Sequence, residues 1–83
     1  MKLQLRFFAA LRERLDRSDE VWETQANTLG ELRLELAARD ERFAQALGAD
    51  QVVRMAINQS MAAPDACISD GDEVAFFPPV TGG

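Results

Sequence analysis

The sequence has no histidine, which excludes imidazole metal sites, Ser-His-Asp triads and Cys-His pairs at once. Its single cysteine, Cys67, forbids an internal disulfide and gives no sign of an oxidising compartment. Positive charge is in deficit: 9 Lys and Arg stand against 14 Asp and Glu, for a net charge of −5. That balance opposes the surface that neutralises nucleic-acid phosphates, so a basic protein partner fits better than a nucleic acid. No apolar run approaches the roughly 20 residues of a membrane span, and Met1 to Arg6 alternates where a signal peptide would be continuously apolar. The expectation is a cytoplasmic protein with no membrane attachment.

What is present is a globular composition, 47% apolar and 28% charged, over 83 residues, enough for one small domain and one core. Leu3, Leu5 and Phe7 alternate with Lys2, Gln4, Arg6 and Phe8, the period of two expected of a first strand. Leu11 and Leu15, four apart, fit a short helical connection closed by the polar stretch Asp16 to Asp19. Val21 and Trp22 favour extended structure around Glu20 to Thr24, antiparallel to strand one because the return is short. Thr28-Leu29-Gly30-Glu31 has the form of a capping box, and Leu29, Leu32 and Leu36 continue it as one helical stripe. Asp40 is a plausible new N-cap for a shorter helix through Phe43 and Leu47, which Gly48 ends.

Val52 to Ile57 is rich in β-branched residues and precedes a polar turn at Asn58-Gln59-Ser60, so a third strand is placed there. Ser69-Asp70-Gly71-Asp72 reads as a tight turn, with a last strand at Glu73 to Phe77. The order is strand, strand, helix, strand, strand with short helical insertions. This predicts an α+β domain, a sheet with one main helix on one face.

Few residues carry chemistry. Asp70-Gly71-Asp72-Glu73 lacks the evenly spaced oxygen ligands and closing glutamate of a calcium loop, and the turn explains it better. Cys67, between Ala66 and Ile68 with no cation beside it in sequence, is expected to be packing material. The carboxylates mostly sit on helix faces or in turns, where solvation accounts for them. What remains is the stretch Phe76-Phe77-Pro78-Pro79-Val80-Thr81-Gly82-Gly83. Pro78 and Pro79 remove two donors, so the strand cannot continue as a paired ladder. The six residues from Pro78 reach at most about 20 Å, enough to enter a neighbouring protein's cleft. Gly82 and Gly83 lack Cβ atoms, so a narrow slot can close around them and another molecule can approach a carboxylate on Gly83. Alternation also sends Phe8 and Phe77 to the sheet face away from the helix, where two aromatics suggest a docking patch.

With Phe7-Phe8-Ala9, Leu11-Arg12-Glu13, Asn58-Gln59 and the stretch from Asp70 to Gly83, the chain resembles the small, sulfur-carrying subunits of molybdopterin synthases. That resemblance implies a ubiquitin-like β-grasp fold, a mixed sheet with one main helix, over residues 1–77, followed by an extended tail over 78–83. It implies that a ubiquitin-activating-like adenylyltransferase, using ATP and Mg, adenylates Gly83, and that a sulfur donor acting through that enzyme converts it to a thiocarboxylate. The tail Pro78, Pro79, Val80, Thr81, Gly82, Gly83 would then enter the large synthase subunit, in a heterotetramer of two small and two large subunits. There the sulfur would build the molybdopterin dithiolene on cyclic pyranopterin monophosphate. Phe8 and Phe77 match apolar docking positions, and Met61 is a further docking candidate. No permanently bound cofactor or metal is implied, and the catalytic groups belong to the large subunit. Sulfur delivery to thiamine synthesis or tRNA thiolation, a ubiquitin-like modifier that acylates lysines, and a passive interaction domain remain as alternatives.

Overall fold

The computed structural model describes residues 1–79. Its elements are β1 (Lys2–Phe7), α1 (Ala9–Leu15), β2 (Asp19–Glu23), α2 (Leu29–Ala37), α3 (Glu41–Leu47), β3 (Arg54–Ile57), β4 (Ser60–Met61) and β5 (Glu73–Phe77). The strands form one five-stranded sheet in the order β2-β1-β5-β3-β4. Only β1 and β5 run parallel; the other pairs are antiparallel. This is the mixed, helix-covered sheet of a ubiquitin-like β-grasp.

Hydrophobic periodicity decides which face is covered. In β1 the alternation is strict, with Leu3, Leu5 and Phe7 buried and Lys2, Gln4 and Arg6 exposed. Val74 and Phe76 of β5 join them, and Leu29, Leu32 and Leu36 of α2 close over the same core. Phe7 stacks on Phe76 at 5.7 Å and meets Phe43 of α3 edge-on at 6.0 Å. Each such aromatic pair contributes about 1 kcal/mol beyond its area.

The helix starts follow the local sequence. The Thr28 hydroxyl accepts from the Glu31 N–H at 3.2 Å, while Glu31 reaches back to the Asn27 N–H. Asp40 caps α3 by accepting from the Phe43 N–H at 2.9 Å. Arg33 closes the other end of α3, donating to the carbonyls of Leu47, Gly48 and Gln51. Carbonyls at a helix end, such as that of Leu47, lack intrahelical partners, and the Gly48 carbonyl also accepts from the Gln51 N–H at 2.9 Å.

The structure departs from the sequence reading in four places. The strand expected from Val52 begins only at Arg54, and Val52 is 72% exposed. Strand β2 lies one residue earlier than expected, at Asp19–Glu23, because Met1 rather than Lys2 meets Thr24: the Thr24 N–H donates to the Met1 carbonyl. Strand β4 has only two residues, too few for a periodic signal, and it makes five strands where four were expected. Finally, Cys67 is exposed and is not core material. A single antiparallel bridge to Thr28 extends its backbone, so Ile68 turns inward and Cys67 outward.

Candidate functional site

The parallel β1–β5 pair fixes the geometry of the site. Leu5 lies opposite Val74 and Phe7 opposite Phe76, so the next residue of each strand emerges at the same end of the sheet. The Phe8 N–H continues the ladder by donating to the Phe76 carbonyl at 3.1 Å. Phe8 and Phe77 thus stand side by side on the face away from the helices, their rings edge to face at 6.5 Å. The sequence placed both there, and among the described residues no loop covers Phe8, which is 40% exposed.

Neighbouring strands extend this apolar surface. Ala75 of β5 is the partner of Ala56 of β3, and Ala56 is the partner of Met61 of β4. Both alanines face outward by alternation yet are almost inaccessible, at 8% and 5% exposure, because larger side chains stand around them. They form a flat floor between the Phe8–Phe77 wall and Met61, which is 56% exposed. The three candidates Phe8, Phe77 and Met61 therefore share one face, although Met61 is separated from the others in sequence. The alanine floor was not legible beforehand, since alanine in a strand carries no directional signal.

Two local devices hold this surface in place. The β3–β4 connection is a two-residue turn at Asn58 and Gln59, both with positive φ (49° and 71°). The Asn58 side chain accepts from the Glu73 N–H at 2.9 Å and donates to Asp72 at 3.0 Å, which fastens the hairpin carrying Met61 to the start of β5. At the same end of the sheet, Asp70 accepts from the Lys2 N–H at 2.7 Å and Asp72 from the Ser69 N–H at 2.8 Å. Gly71 takes φ 86°, a conformation that favours glycine. The Asp70-Gly71-Asp72 turn thus sets the register of β5 against β1.

Charge on the face is sparse near Phe8 and Phe77. Arg6 lies 5.7 Å from the centre of the Phe8 ring and pairs with Glu73 at 3.4 Å. Arg54, the partner of Phe77 across the β5–β3 ladder, is exposed. Pro78 and Pro79 follow β5 and are half-buried; Val80, Thr81, Gly82 and Gly83 lie outside the described residues. Among the described residues, no group of three or more Cys, Asp or Glu side chains could hold a metal ion. No described helix is long and apolar enough to cross a membrane.

A mixed sheet with an apolar outer face, from which a proline-led segment departs beside two aromatics, defines the class: a ubiquitin-like β-grasp protein. Residues 5–83 match the ThiS family, and the chain belongs to it. The molybdopterin synthase sulfur carrier subunit of Escherichia coli is 41% identical over 81 residues, covering 98% of this chain and 99% of that one. The small archaeal modifier protein 3 of Haloferax volcanii is 33% identical over the whole of both chains. Among solved structures, a chain from the complex of subunits 1 and 2 of the molybdopterin-converting factor of Helicobacter pylori superposes with a TM-score of 0.69. It shares 30% identity, with 100% of each chain covered.

Proposed function

We propose that this chain is the sulfur carrier subunit of a molybdopterin synthase. The likeness to a protein of that name across nearly the entire length of both chains carries the reading. The geometry supports it, because the segment leading to Gly83 departs beside a flat apolar surface. That surface can seat on a partner while the slim tail enters the partner's cleft.

The chemistry needs no catalytic group on the carrier. A free carboxylate resists attack because its charge is delocalised and its oxygen is a poor leaving group. An adenylyltransferase binding ATP and Mg joins the Gly83 carboxylate to AMP with release of pyrophosphate. Sulfur at the sulfide level, delivered through that enzyme by a donor, then displaces AMP and leaves a thiocarboxylate. The large synthase subunit receives Pro78 to Gly83 and supplies the groups that bind the pterin precursor and move protons. Two loaded carriers are needed for the two dithiolene sulfurs, and an assembly of two small and two large subunits accommodates both. Phe8, Phe77 and Met61 form the surface that docks, within the cytoplasm, on both partners in turn.

Incubation with the adenylyltransferase, ATP and a sulfur donor should raise the intact mass by one oxygen-to-sulfur exchange, located at Gly83 by fragmentation. An unchanged mass with an active enzyme refutes the reading. One observation favours a second reading, the full-length likeness to a small archaeal modifier protein. In that role the same activated carbonyl is attacked by a lysine amine. Isopeptide adducts as the main cellular product, in place of the thiocarboxylate, would establish it.

A further inference from the structure

The molecule's arginines differ in how they are occupied. Arg39 and Arg17 both bond Glu20, Arg33 caps three carbonyls, and Arg6 pairs with Glu73. Arg54 has no hydrogen bond or ion pair among the described residues, yet it stands inside the apolar face. Its Cα partner is Phe77, and by strand alternation it shares its side of the sheet with Ala56, whose own partner is Met61. Glu73, the carboxylate of β5 on this side of the sheet, stands at the opposite end of that strand from Phe77 and is engaged by Arg6.

We propose that Arg54 determines how this face docks, and that the large synthase subunit presents a carboxylate to its guanidinium. The inference rests on the proposed function, in which that subunit covers Phe8, Phe77 and Met61. Left in water, Arg54 is an ordinary solvated side chain. Covered by an apolar partner surface, it loses its hydration, and no carboxylate of the described residues is paired with it to replace that hydration. An unpaired buried charge is strongly destabilising, so the covering surface must supply an acceptor. A carboxylate meets the planar guanidinium fork with two parallel bonds and cancels the charge, which a lone carbonyl does not.

The sign of this contact runs against the molecule as a whole. A net charge of −5 draws the chain toward a basic partner at long range. An acidic group at the one point facing Arg54 then selects orientation, because misplaced docking sets the guanidinium against apolar or basic surface. Charged contacts of this kind set register more than overall affinity.

The test measures binding of the full chain to the purified large subunit by calorimetry. Arg54→Ala should weaken binding about tenfold or more and Arg54→Glu further still, in line with truncation of one partner of a buried charge pair. Lys2→Glu makes the same charge change at the far end of β1 and should stay within about threefold. Arg54→Lys provides an amine at the site: treatment of its complex with a carbodiimide should give an amide crosslink from residue 54 to an Asp or Glu of the large subunit. The wild-type chain, whose only lysine is Lys2, is the control. Arg54→Ala binding like the wild type, equal losses in Arg54→Glu and Lys2→Glu, or no crosslink at residue 54 each overturns the inference. Phe8→Ser distinguishes the levels. If it binds normally, the docking reading itself fails; if it loses binding while Arg54→Ala does not, only the role of Arg54 fails.

Discussion

Replacing Phe8 by alanine separates docking from folding, because the ring is large, sits beyond the end of β1 and is only partly packed. It keeps 40% of its surface exposed in the isolated chain. A phenylalanine side chain offers about 200 Å², so about 80 Å² remains for a partner to cover. At about 25 cal/mol per Å² this corresponds to about 2 kcal/mol, or roughly 30-fold in Kd. The cost to the free protein is smaller. The substitution removes one edge-to-face contact with Phe77 at 6.5 Å and a cation contact from Arg6 at 5.7 Å, both at the surface. Together these amount to about 1 kcal/mol, which lowers the melting temperature of a domain this size by about 4–8 °C. Calorimetric titration with the large subunit, paired with urea unfolding of the free chain, reads both quantities. Adding Phe77→Ala and the double variant completes a cycle, and a non-additive binding loss is expected because the rings form one surface. An affinity within threefold of the wild type for Phe8→Ala, with an intact fold, would refute the assignment of this face.

Two other outcomes follow from local geometry. Burial pushes the Glu20 carboxyl up, but hydrogen bonds from Arg39 and Arg17 and their charges more than offset that and hold it below the ordinary glutamate value of 4.5. Because the folded-state value is the lower one, Glu20 contributes stability above the unfolded-state value and loses it as pH falls through the folded one. Urea midpoints taken from about pH 6 down to about pH 3 should fall less steeply in Glu20→Gln than in the wild type; parallel curves would exclude the effect. Gln59 adopts φ 71° in the two-residue β3–β4 turn, a region glycine occupies without steric cost. Gln59→Gly should therefore raise stability by about 0.5–1 kcal/mol, seen as a higher urea midpoint with unchanged slope, and a lower midpoint would contradict it.

The sequence was most readable where burial is one-sided. Alternation in Leu3-Gln4-Leu5-Arg6-Phe7 located β1, although Phe8, read with that strand, lies past its end as the N-cap of α1; the run from Glu73 to Phe77 placed β5 at its observed ends, and the Thr28 and Asp40 side chains marked two helix starts. Val52 and Val53 misled because β-branching reports a preference for extended backbone and not the presence of a neighbouring strand. Cys67 misled for a related reason: its apolar neighbours suggested a buried segment, while one backbone bridge decides which side chains turn inward. At the candidate site, alternation put Phe8 and Phe77 on one face. Their contact depends on the parallel pairing of strands 65 or more residues apart in sequence, as in Phe7 opposite Phe76. The cluster in which the Arg39 guanidinium lies 4.4 Å from the Trp22 ring centre and 4.1 Å from that of Phe43 had no linear signature at all.

That cluster bears on function through the contrast between the two sides of the sheet. On the helical side, Glu20 holds Arg39 between two aromatic rings and also binds Arg17, while Glu35 accepts from the Trp22 indole at 2.7 Å. These contacts join β2, α2 and α3, and their polar groups find partners within the chain. On the outer side, the apolar floor of Ala56 and Ala75, the rings of Phe8 and Phe77 and the guanidinium of Arg54 stand without such closure among the described residues. Under the proposed function, docking on successive partners needs this asymmetry. The rigid side maintains the register of β1 against β5, and that register determines where Pro78 begins. A short tail of limited reach delivers a reactive carbonyl to a fixed point only if its origin is fixed, so loosening β5 against β1 should impair transfer even with every docking side chain in place.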